Sequence, residues 1–199
     1  GGVEDIAAAN GKLYVTNSVH PSYPTSLKSK VTVIDLTTFT KSKDIEVGSN
    51  PARIAAAGNG DLYVVTWNVW GETNHPTLVR ISSSTDAVIQ TEDNIDLGAI
   101  TILGTQAWVA KDVYSSPSVK ALNLTTGKLG ADLITDGTTI ATPYGLTINP
   151  FDQSVVVGDS GSGKAFVFGK DGKLKYSFET GSNPQAAAFN YKYGFVSKD

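Results

Sequence analysis

One glycine-rich segment combines residue types that could bind a phosphate group. Residues 158–165 are Gly-Asp-Ser-Gly-Ser-Gly-Lys-Ala, and closely spaced glycines before a lysine are the elements of a phosphate-binding loop. That loop ends in a metal-binding Ser or Thr and leads into a helix, whereas this segment has Ala165 and is followed by strand-forming residues. A flexible Gly/Ser hairpin loop therefore explains the pattern better than a nucleotide site.

The same segment contains a serine in a nucleophile-like setting. Residues 158–161 resemble the nucleophile segment of trypsin-like proteases, in which a histidine oriented by a carboxylate activates the serine. The two histidines of the chain, His20 and His75, lack the sequence surroundings of such a protease. The sequence therefore predicts no catalytic residue and a protein that is not an enzyme.

Composition narrows the remaining chemistry. The 199 residues include no Cys and two His, which excludes disulfides, thiolate ligands and a three-histidine zinc site within one chain. The net charge is −3 and there is no basic tract, so nucleic acid is not an expected partner. No apolar run approaches the roughly 20 residues of a membrane-spanning helix. We expect neither a bound metal nor a cofactor.

Short strands recur along the chain at regular intervals. One apolar strand recurs at spacings of 49, 45, 47 and 40 residues, starting at Tyr14, Tyr63, Trp108, Val155 and Phe195. A second strand with a following turn starts at Val31, Leu78, Val119 and Ala165. Each unit reads as four short strands, which we name a, b, c and d, and such units of about 40–50 residues are typical of a β-propeller. A β-sandwich or another regular all-β array is the alternative.

Three alanine runs indicate which strand lies innermost. Residues 7–9, 55–57 and 186–188 are each Ala-Ala-Ala, and all three runs fall in strand a. A single helical turn is too short to be stable alone, so the runs do not predict helices. Strands nearest a propeller axis crowd together and favour small side chains, which places strand a at the axis.

The first unit resembles the YVTN-type propeller repeat. The matching residues are Leu-Tyr-Val-Thr-Asn at 13–17, Val-Thr-Val-Ile-Asp-Leu-Thr-Thr at 31–38 and Ile-Glu-Val-Gly-Ser-Asn-Pro-Ala-Arg-Ile-Ala at 45–55. This resemblance implies a ring that is typically seven-bladed and an exported bacterial protein of the surface-layer or YncE-like type. Residues 136–174 further resemble surface lipoproteins of gut Bacteroidetes. The third unit departs most, with Gly-Ala-Ile-Thr at 98–101 in place of the expected Gly-x-Asn-Pro.

The strand count predicts a ring that these residues do not close. There are five a–b pairs and four c–d pairs, so the units are residues 1–48, 49–98, 99–142 and 143–181, with a half blade at 182–199. We therefore expect an all-β chain with four blades plus half of a fifth, as part of a seven-bladed propeller by resemblance. A compact four-bladed ring with an extra hairpin is the alternative.

The long b–c connections predict a binding face. Strands alternate in direction, so the b–c and d–a connections lie on one face, and long loops on a rigid scaffold often carry binding residues. Arg53 and Tyr144 are predicted beside them, at the mouth of the axial channel. The ligand-binding candidates are His20, Tyr23, Arg53, Trp67, Asn68, Trp70, Glu72, His75, Tyr114 and Tyr144. The alternative interpretation is that the aromatic residues of the loops only pack against the blades and that the polar residues are only solvated surface groups.

The resemblance implies a non-catalytic binding module at a bacterial cell surface or in the periplasm. Related propellers of gut Bacteroidetes include lipoproteins that capture corrinoids, so a corrinoid is the specific ligand expected, with an outer-membrane transporter as a partner. A propeller enzyme of the lactonase or lyase type is one alternative, with Asp5, Arg53, Glu72 and His75 as its candidate residues. A scaffold that binds another surface protein is a second alternative. We expect a monomer.

Overall fold

The computed structural model describes residues 2–19, 29–67, 69 and 75–190, and its strands form four antiparallel sheets of four strands each. The first sheet contains β1 (Gly2–Ala9), β2 (Lys12–Ser18), β3 (Lys30–Asp35) and β4 (Thr40–Ile45). The second contains β5 (Pro51–Ala56), β6 (Leu62–Thr66), β7 (Thr77–Ser82) and β8 (Ala87–Asp93). The third contains β9 (Leu97–Leu103), β10 (Gln106–Lys111), β11 (Ser118–Leu122) and β12 (Leu129–Asp132). The fourth contains β13 (Pro143–Ile148), β14 (Val155–Asp159), β15 (Lys164–Phe168) and β16 (Leu174–Glu179).

This arrangement confirms the all-β prediction and excludes the β-sandwich. Each sheet is a meander in which strands adjacent in the chain are also adjacent in the sheet. The first strands of successive sheets pack beside one another, β1 with β5, β5 with β9 and β9 with β13. Within the described part of the chain no comparable packing joins β1 to β13. The four sheets are therefore blades of an open arc, and the compact four-bladed ring is not formed. No helix among these residues is long and apolar enough to cross a membrane.

Apolar clusters fill the three spaces between neighbouring blades. Side chains alternate between the two faces of a strand, so in β6 Leu62 and Val64 face the first blade, and Tyr63 and Val65 face the third. A third cluster between the third and fourth blades includes Phe168. A middle blade is thus buried on both faces, which explains why a strand such as β6 is a nearly continuous run of apolar residues.

A tyrosine in strand b ties each of the first two blades to the blade that follows it. The Tyr14 hydroxyl donates to Asp86 Oδ1 at 2.5 Å, and Lys12 Nζ lies 2.7 Å from Asp86 Oδ2. Burial and the Asp86 carboxylate raise the pKa of Tyr14 far above its ordinary value. The Tyr63 hydroxyl likewise donates to the Leu124 carbonyl in the third blade. Trp108 has the equivalent position in the third blade, and its buried Nε1 has no hydrogen-bond partner among the described residues.

Strand d of the second blade ends before the residues that lead into the third blade. The observed β8 ends at Asp93, because Asn94 adopts a left-handed conformation with φ of 56°. Leu97 is fully buried and begins β9, where it pairs with Lys111. The connection between the second and third blades is therefore only three residues long, at 94–96.

The C-terminal alanine run follows the inner edge of the fourth blade without being assigned as a strand. The Ala187 N–H donates to Thr147 Oγ1 at 3.1 Å. An added Cβ at Gly145 would lie 2.5 Å from the Gln185 carbonyl oxygen, so the two backbones approach more closely than any side chain allows. The predicted strand b at residues 195–198 lies outside the described residues.

The c–d turns place a left-handed residue at an equivalent position. Asp35 and Asn123 each accept two backbone N–H bonds at the start of their turns. The turns then reach positive φ at Phe39 (56°), Asp86 (50°) and Gly127 (72°). Glycine adopts this conformation without steric cost, whereas a residue with a Cβ does not. Phe39 is therefore held in a strained conformation.

Replacing Phe39 with glycine is expected to stabilise the protein. The side chain is 74% exposed, and removing the left-handed strain gains about 1–2 kcal/mol. The extra unfolded-state entropy of glycine offsets about 0.5–1 kcal/mol of that gain. Urea denaturation should show a free energy of unfolding higher by about 0.5–1 kcal/mol. Gly127→Ala, at the equivalent turn position, should lower it; an unchanged or lower stability of Phe39→Gly would refute the interpretation.

Candidate functional site

The candidate site begins with irregular pairing at the start of each strand a. The register of β13 with β14 shifts between Pro143 and Gly145, and the same shift occurs in β5 between Pro51 and Arg53. In β9 the shift falls beside Gly98. A β-bulge of this kind bends the strand and re-aims the side chain of the extra residue. Ala52, Gly98 and Tyr144 are the extra residues in the second, third and fourth blades.

The Arg53 guanidinium lies against two aromatic rings from different blades. Its Cζ is 4.9 Å from the ring centroid of Trp67 and 5.8 Å from that of Tyr144. The two rings are 6.5 Å apart between centroids and inclined by 43°. A guanidinium within about 6 Å of an aromatic face is attracted by the ring quadrupole. The second and fourth blades therefore meet at this cluster on the loop face.

Backbone hydrogen bonds hold Trp67 and Tyr114 in place. Trp67 directly follows β6, and its N–H donates to the Asn50 carbonyl at 3.0 Å. Tyr114 lies in the 112–117 connection, which is closed by Ser115 and Ser116 N–H groups donating to the Asp112 carbonyl at 3.0 Å. The Asp112 N–H donates in turn to the Asp96 carbonyl at 3.0 Å, which ties this loop to the 94–96 connection.

A cavity of about 240 Å³ lies beside the aromatic cluster. Its floor is apolar, because Leu97 is fully buried and Val113 is 4% exposed. Its mouth is open, since the Tyr114 side chain is 80% exposed. The lining residues are Trp67, Asp96, Leu97, Gly98, Val113, Tyr114 and Tyr144.

Gly98 occupies the bulge of the third blade, the position that Ala52 and Tyr144 have in the second and fourth blades. A Cβ at this position would lie 2.6 Å from Val113 Cγ1, much closer than two carbon atoms can approach. The third blade therefore has no side chain at its bulge, whereas the fourth blade has Tyr144 there. The missing side chain lets Val113 pack directly against the backbone at Gly98, and these two residues form part of the cavity lining.

The Gly-Asp-Ser-Gly segment supports this site rather than forming one of its own. Residues 160–163 form the turn between β14 and β15, as the hairpin interpretation expects. Asp159 is 1% exposed and accepts the backbone N–H groups of Ala141 at 3.0 Å and Thr142 at 2.7 Å. It also accepts the Gly161 N–H and the Ser162 hydroxyl. Because Ala141 and Thr142 lead directly into Pro143 and Tyr144, this carboxylate positions the tyrosine.

The protonation of Asp159 reflects these bonds. Burial alone would raise the pKa of this carboxyl group, but the four hydrogen bonds that it accepts outweigh burial and hold its pKa below the ordinary value. The group is therefore ionised at neutral pH.

The structure brings together four of the ten predicted ligand-binding residues: Arg53, Trp67, Tyr114 and Tyr144. His75 is exposed and is not among the residues that line the cavity. The predicted residues His20, Tyr23, Asn68, Trp70 and Glu72 lie outside the described residues. Sequence reasoning missed Asp96, Leu97, Gly98 and Val113. The broken Gly-x-Asn-Pro pattern at 98–101 was the one signal that could have located Gly98.

Asp5, proposed as an enzymatic residue, joins two inner strands. Its carboxylate accepts the Ile54 N–H of β5 at 3.0 Å and the Ile6 N–H at 2.8 Å. In the described ranges no group of three or more His, Cys, Asp and Glu residues is arranged to hold a metal ion.

Comparison with known proteins identifies the fold. No protein-family model matches the chain, and no curated protein sequence matches it either. Hydrazine synthase of Kuenenia stuttgartiensis is similar over 88% of this chain and 61% of its own, with a TM-score of 0.67 and 14% identity. A gluconolactonase from Xanthomonas campestris is similar over 89% and 62%, with a TM-score of 0.62 and 13% identity. A chain from the structure of a nidogen/laminin complex is similar over 92% of this chain and 67% of its own, with a TM-score of 0.66 and 13% identity.

These similarities establish a partial β-propeller. The chain spans about three fifths of the hydrazine synthase and gluconolactonase chains that it matches. Identities this low show the fold alone, so the YVTN-type assignment stays an expectation from the repeat residues.

Replacing Gly98 with alanine is expected to destabilise the protein. The added methyl group would overlap Val113, and overpacking costs about 1–3 kcal/mol. Urea denaturation should show this loss. In a double-mutant cycle, adding Gly98→Ala to Val113→Ala should cost little further, because the overlapping methyl groups are then absent. A cost for Gly98→Ala that is the same in both backgrounds would contradict the account of the cavity floor.

Replacing Asp159 with asparagine is expected to lower stability in a pH-dependent way. Hydrogen bonds to a charged group contribute about 1.5–3 kcal/mol, so we expect a loss of about 2 kcal/mol at pH 7. The folded-state pKa is depressed, so this contribution is complete above the unfolded-state pKa of about 3.9 and is lost as pH falls through the folded-state pKa. The difference between wild type and Asp159→Asn should therefore shrink towards pH 3.

The control for this measurement is Asp93→Asn, at the exposed end of β8. It should change the free energy of unfolding by no more than about 0.5 kcal/mol at pH 7. A constant difference between wild type and Asp159→Asn from pH 7 to pH 3 would show that ionised Asp159 does not hold the loop.

Proposed function

We propose that this β-propeller is a non-catalytic binding module, displayed on the outside of a bacterial cell, that captures a small ligand at the cavity beside Arg53, Trp67 and Tyr144. The observation that carries the proposal is the stacking of one guanidinium on two aromatic rings at the edge of an open cavity. The extracytoplasmic location and an outer-membrane transporter as partner rest on the resemblance of residues 13–17, 31–38 and 45–55 to exported propellers.

The chemistry of the cavity favours a ligand with a flat apolar part. Trp67, Tyr144 and Tyr114 present aromatic surface at low cost in conformational entropy, and such residues dominate binding energy at many recognition sites. The bulge and the Asp159 hydrogen bonds fix Tyr144 before a ligand arrives. A site organised in advance loses less entropy on binding.

The size of the cavity limits how much of a ligand it can enclose. Drug-sized ligands occupy pockets of about 300–1,000 Å³, and this cavity has about 240 Å³. A ligand of one or two rings fits inside it. A whole corrinoid does not, so a corrinoid would place only a peripheral group in the cavity and lie across the mouth beside Tyr114.

A lactonase-type enzyme is the second candidate, and the similarity to the Xanthomonas gluconolactonase favours it. Its proposed residues were Asp5, Arg53, Glu72 and His75. The Asp5 carboxylate binds two backbone N–H groups, which gives it a structural role. Arg53 faces aromatic rings rather than an acid–base pair. Both observations favour binding over catalysis.

The proposal is tested by binding of neutral aromatic fragments. Phenol, indole and benzamide should each show saturation-transfer NMR signals with the protein, at the weak affinities that single rings allow. Tyr144→Ala should weaken this binding at least about tenfold, because truncating a central aromatic residue typically costs more than 1.4 kcal/mol. Tyr176→Ala is the matched control, since Tyr176 is an exposed tyrosine on β16, outside the residues that line the cavity.

The outcomes separate the proposals. Absence of binding for all three fragments, or equal binding by wild type and Tyr144→Ala, would refute a small-ligand site at this cavity. Calorimetry with cyanocobalamin, at micromolar protein, tests the corrinoid. Heat that disappears in Tyr144→Ala would support it, and absence of heat would reject corrinoids.

A further inference from the structure

We propose that the ligand is an anion: a carboxylate or similar oxyanion attached to a flat ring, with the oxyanion bound by Arg53 and the ring held in the aromatic cavity. This inference rests on the proposed function and adds the chemical class of the ligand. It follows from a comparison of the two arginines that the chain contains.

Arg80 shows which polar partner an arginine beside an aromatic ring has elsewhere in this fold. Its Cζ lies 5.8 Å from the ring centroid of Tyr63, the same distance as that from Arg53 to Tyr144. Its Nε and Nη2 both donate to Asp61 Oδ2, at 2.8 and 2.5 Å. Arg80 therefore combines an aromatic face with a carboxylate at the edge of the guanidinium.

Arg53 contacts two aromatic rings but has no carboxylate partner among the residues that the structure describes. Its one hydrogen bond within the described residues runs from Nη1 to the Ala52 carbonyl at 2.9 Å, and no ion pair forms there. A guanidinium has five N–H donors in a planar fork that matches a carboxylate. The centroids of Trp67 and Tyr144 lie 4.9 and 5.8 Å from Cζ and 6.5 Å from each other, so both rings lie on one side of the guanidinium and its other side is left for an acceptor.

The position of Arg53 makes a ligand the natural source of that acceptor. It lies in β5 at the channel mouth, and the two rings that it contacts also line the cavity. A ligand ring packed against Tyr144 would therefore bring a substituent to the guanidinium. A carboxylate presents two charged oxygens that match the planar fork of the guanidinium in a bidentate pair, whereas an amide presents one neutral oxygen, so an oxyanion gains more here than an amide.

One carboxylate opposes this arrangement. Asp96 lines the same cavity and is exposed at its rim, and its charge repels an anionic ligand. It makes no ion pair with Arg53, so it does not supply the missing partner. Removing its charge should therefore tighten anion binding.

The test compares cinnamate with cinnamamide, which share a ring and a chain but differ in charge. Calorimetry on wild type should show cinnamate bound at least about tenfold more tightly than cinnamamide, with a preference that declines as salt is added. Arg53→Gln should lower the affinity for cinnamate by more than it lowers that for cinnamamide, so that the preference for the acid is lost. Asp96→Asn should raise the ratio of cinnamate affinity to cinnamamide affinity several-fold.

Arg53→Lys keeps the inference testable if Arg53→Gln does not fold. It retains the charge but not the planar fork. Its preference for cinnamate over cinnamamide should therefore be smaller than that of wild type but still measurable. Equal affinity of wild type for the acid and the amide, with phenol and indole still bound, would overturn this inference and leave the proposed function intact. Loss of binding for every probe would overturn both.

Discussion

Face-to-face packing of successive sheets is the constraint on which this structure depends. A strand directs alternate side chains to opposite faces, so a middle blade must bury both faces and cannot present a polar one. The apolar clusters between the blades satisfy this requirement. Polar chemistry is thereby confined to strand ends, turns and connections. A binding site in such a molecule must be assembled at the mouth of the channel, from residues that leave the regular pairing.

The β-bulges at the start of each inner strand provide those residues. Pairing that continued without interruption would direct every side chain to a blade face, whereas the bulge frees one position in each blade. The blades use that position differently, with Ala52 in the second, Gly98 in the third and Tyr144 in the fourth. Tyr144 forms one wall of the cavity, and Gly98, against which Val113 packs, forms part of its lining on the third blade. The site therefore arises from the way in which the repeats differ rather than from what they share.

Much of the fold was predictable because the spacing of the repeats matches the length of one four-stranded blade. The recurring apolar strand located β2, β6, β10 and β14. The alanine runs at 7–9 and 55–57 fall in or at the end of β1 and β5, which pack beside each other, whereas the run at 186–188 is not a strand. Arg53 and Tyr144 were predicted at the channel mouth because of their positions in strand a. The end of β8 was not predictable, since Asn94 looks like any polar residue until its left-handed φ is known. Gly98 lies where the repeat pattern breaks down, but its role depends on a contact with Val113, which belongs to the connection between β10 and β11.

Tyr14 and Tyr63 each donate a hydrogen bond to the following blade, but the equivalent residue of the third blade does not. Trp108, at the same position in the third blade, has a buried N–H without a hydrogen-bond partner in the described residues, and such a group costs about 1–3 kcal/mol. Other bonds join the third blade to the fourth: the Thr135 N–H donates to the Gly172 carbonyl at 3.0 Å, and the Leu174 N–H donates to Asp136 Oδ2 at 2.7 Å. Gly98, Val113 and Tyr114 lie on the third-blade side of the cavity, and Tyr144 lies on the fourth-blade side. Bonds outside the residues that line the cavity therefore set the spacing between its two walls.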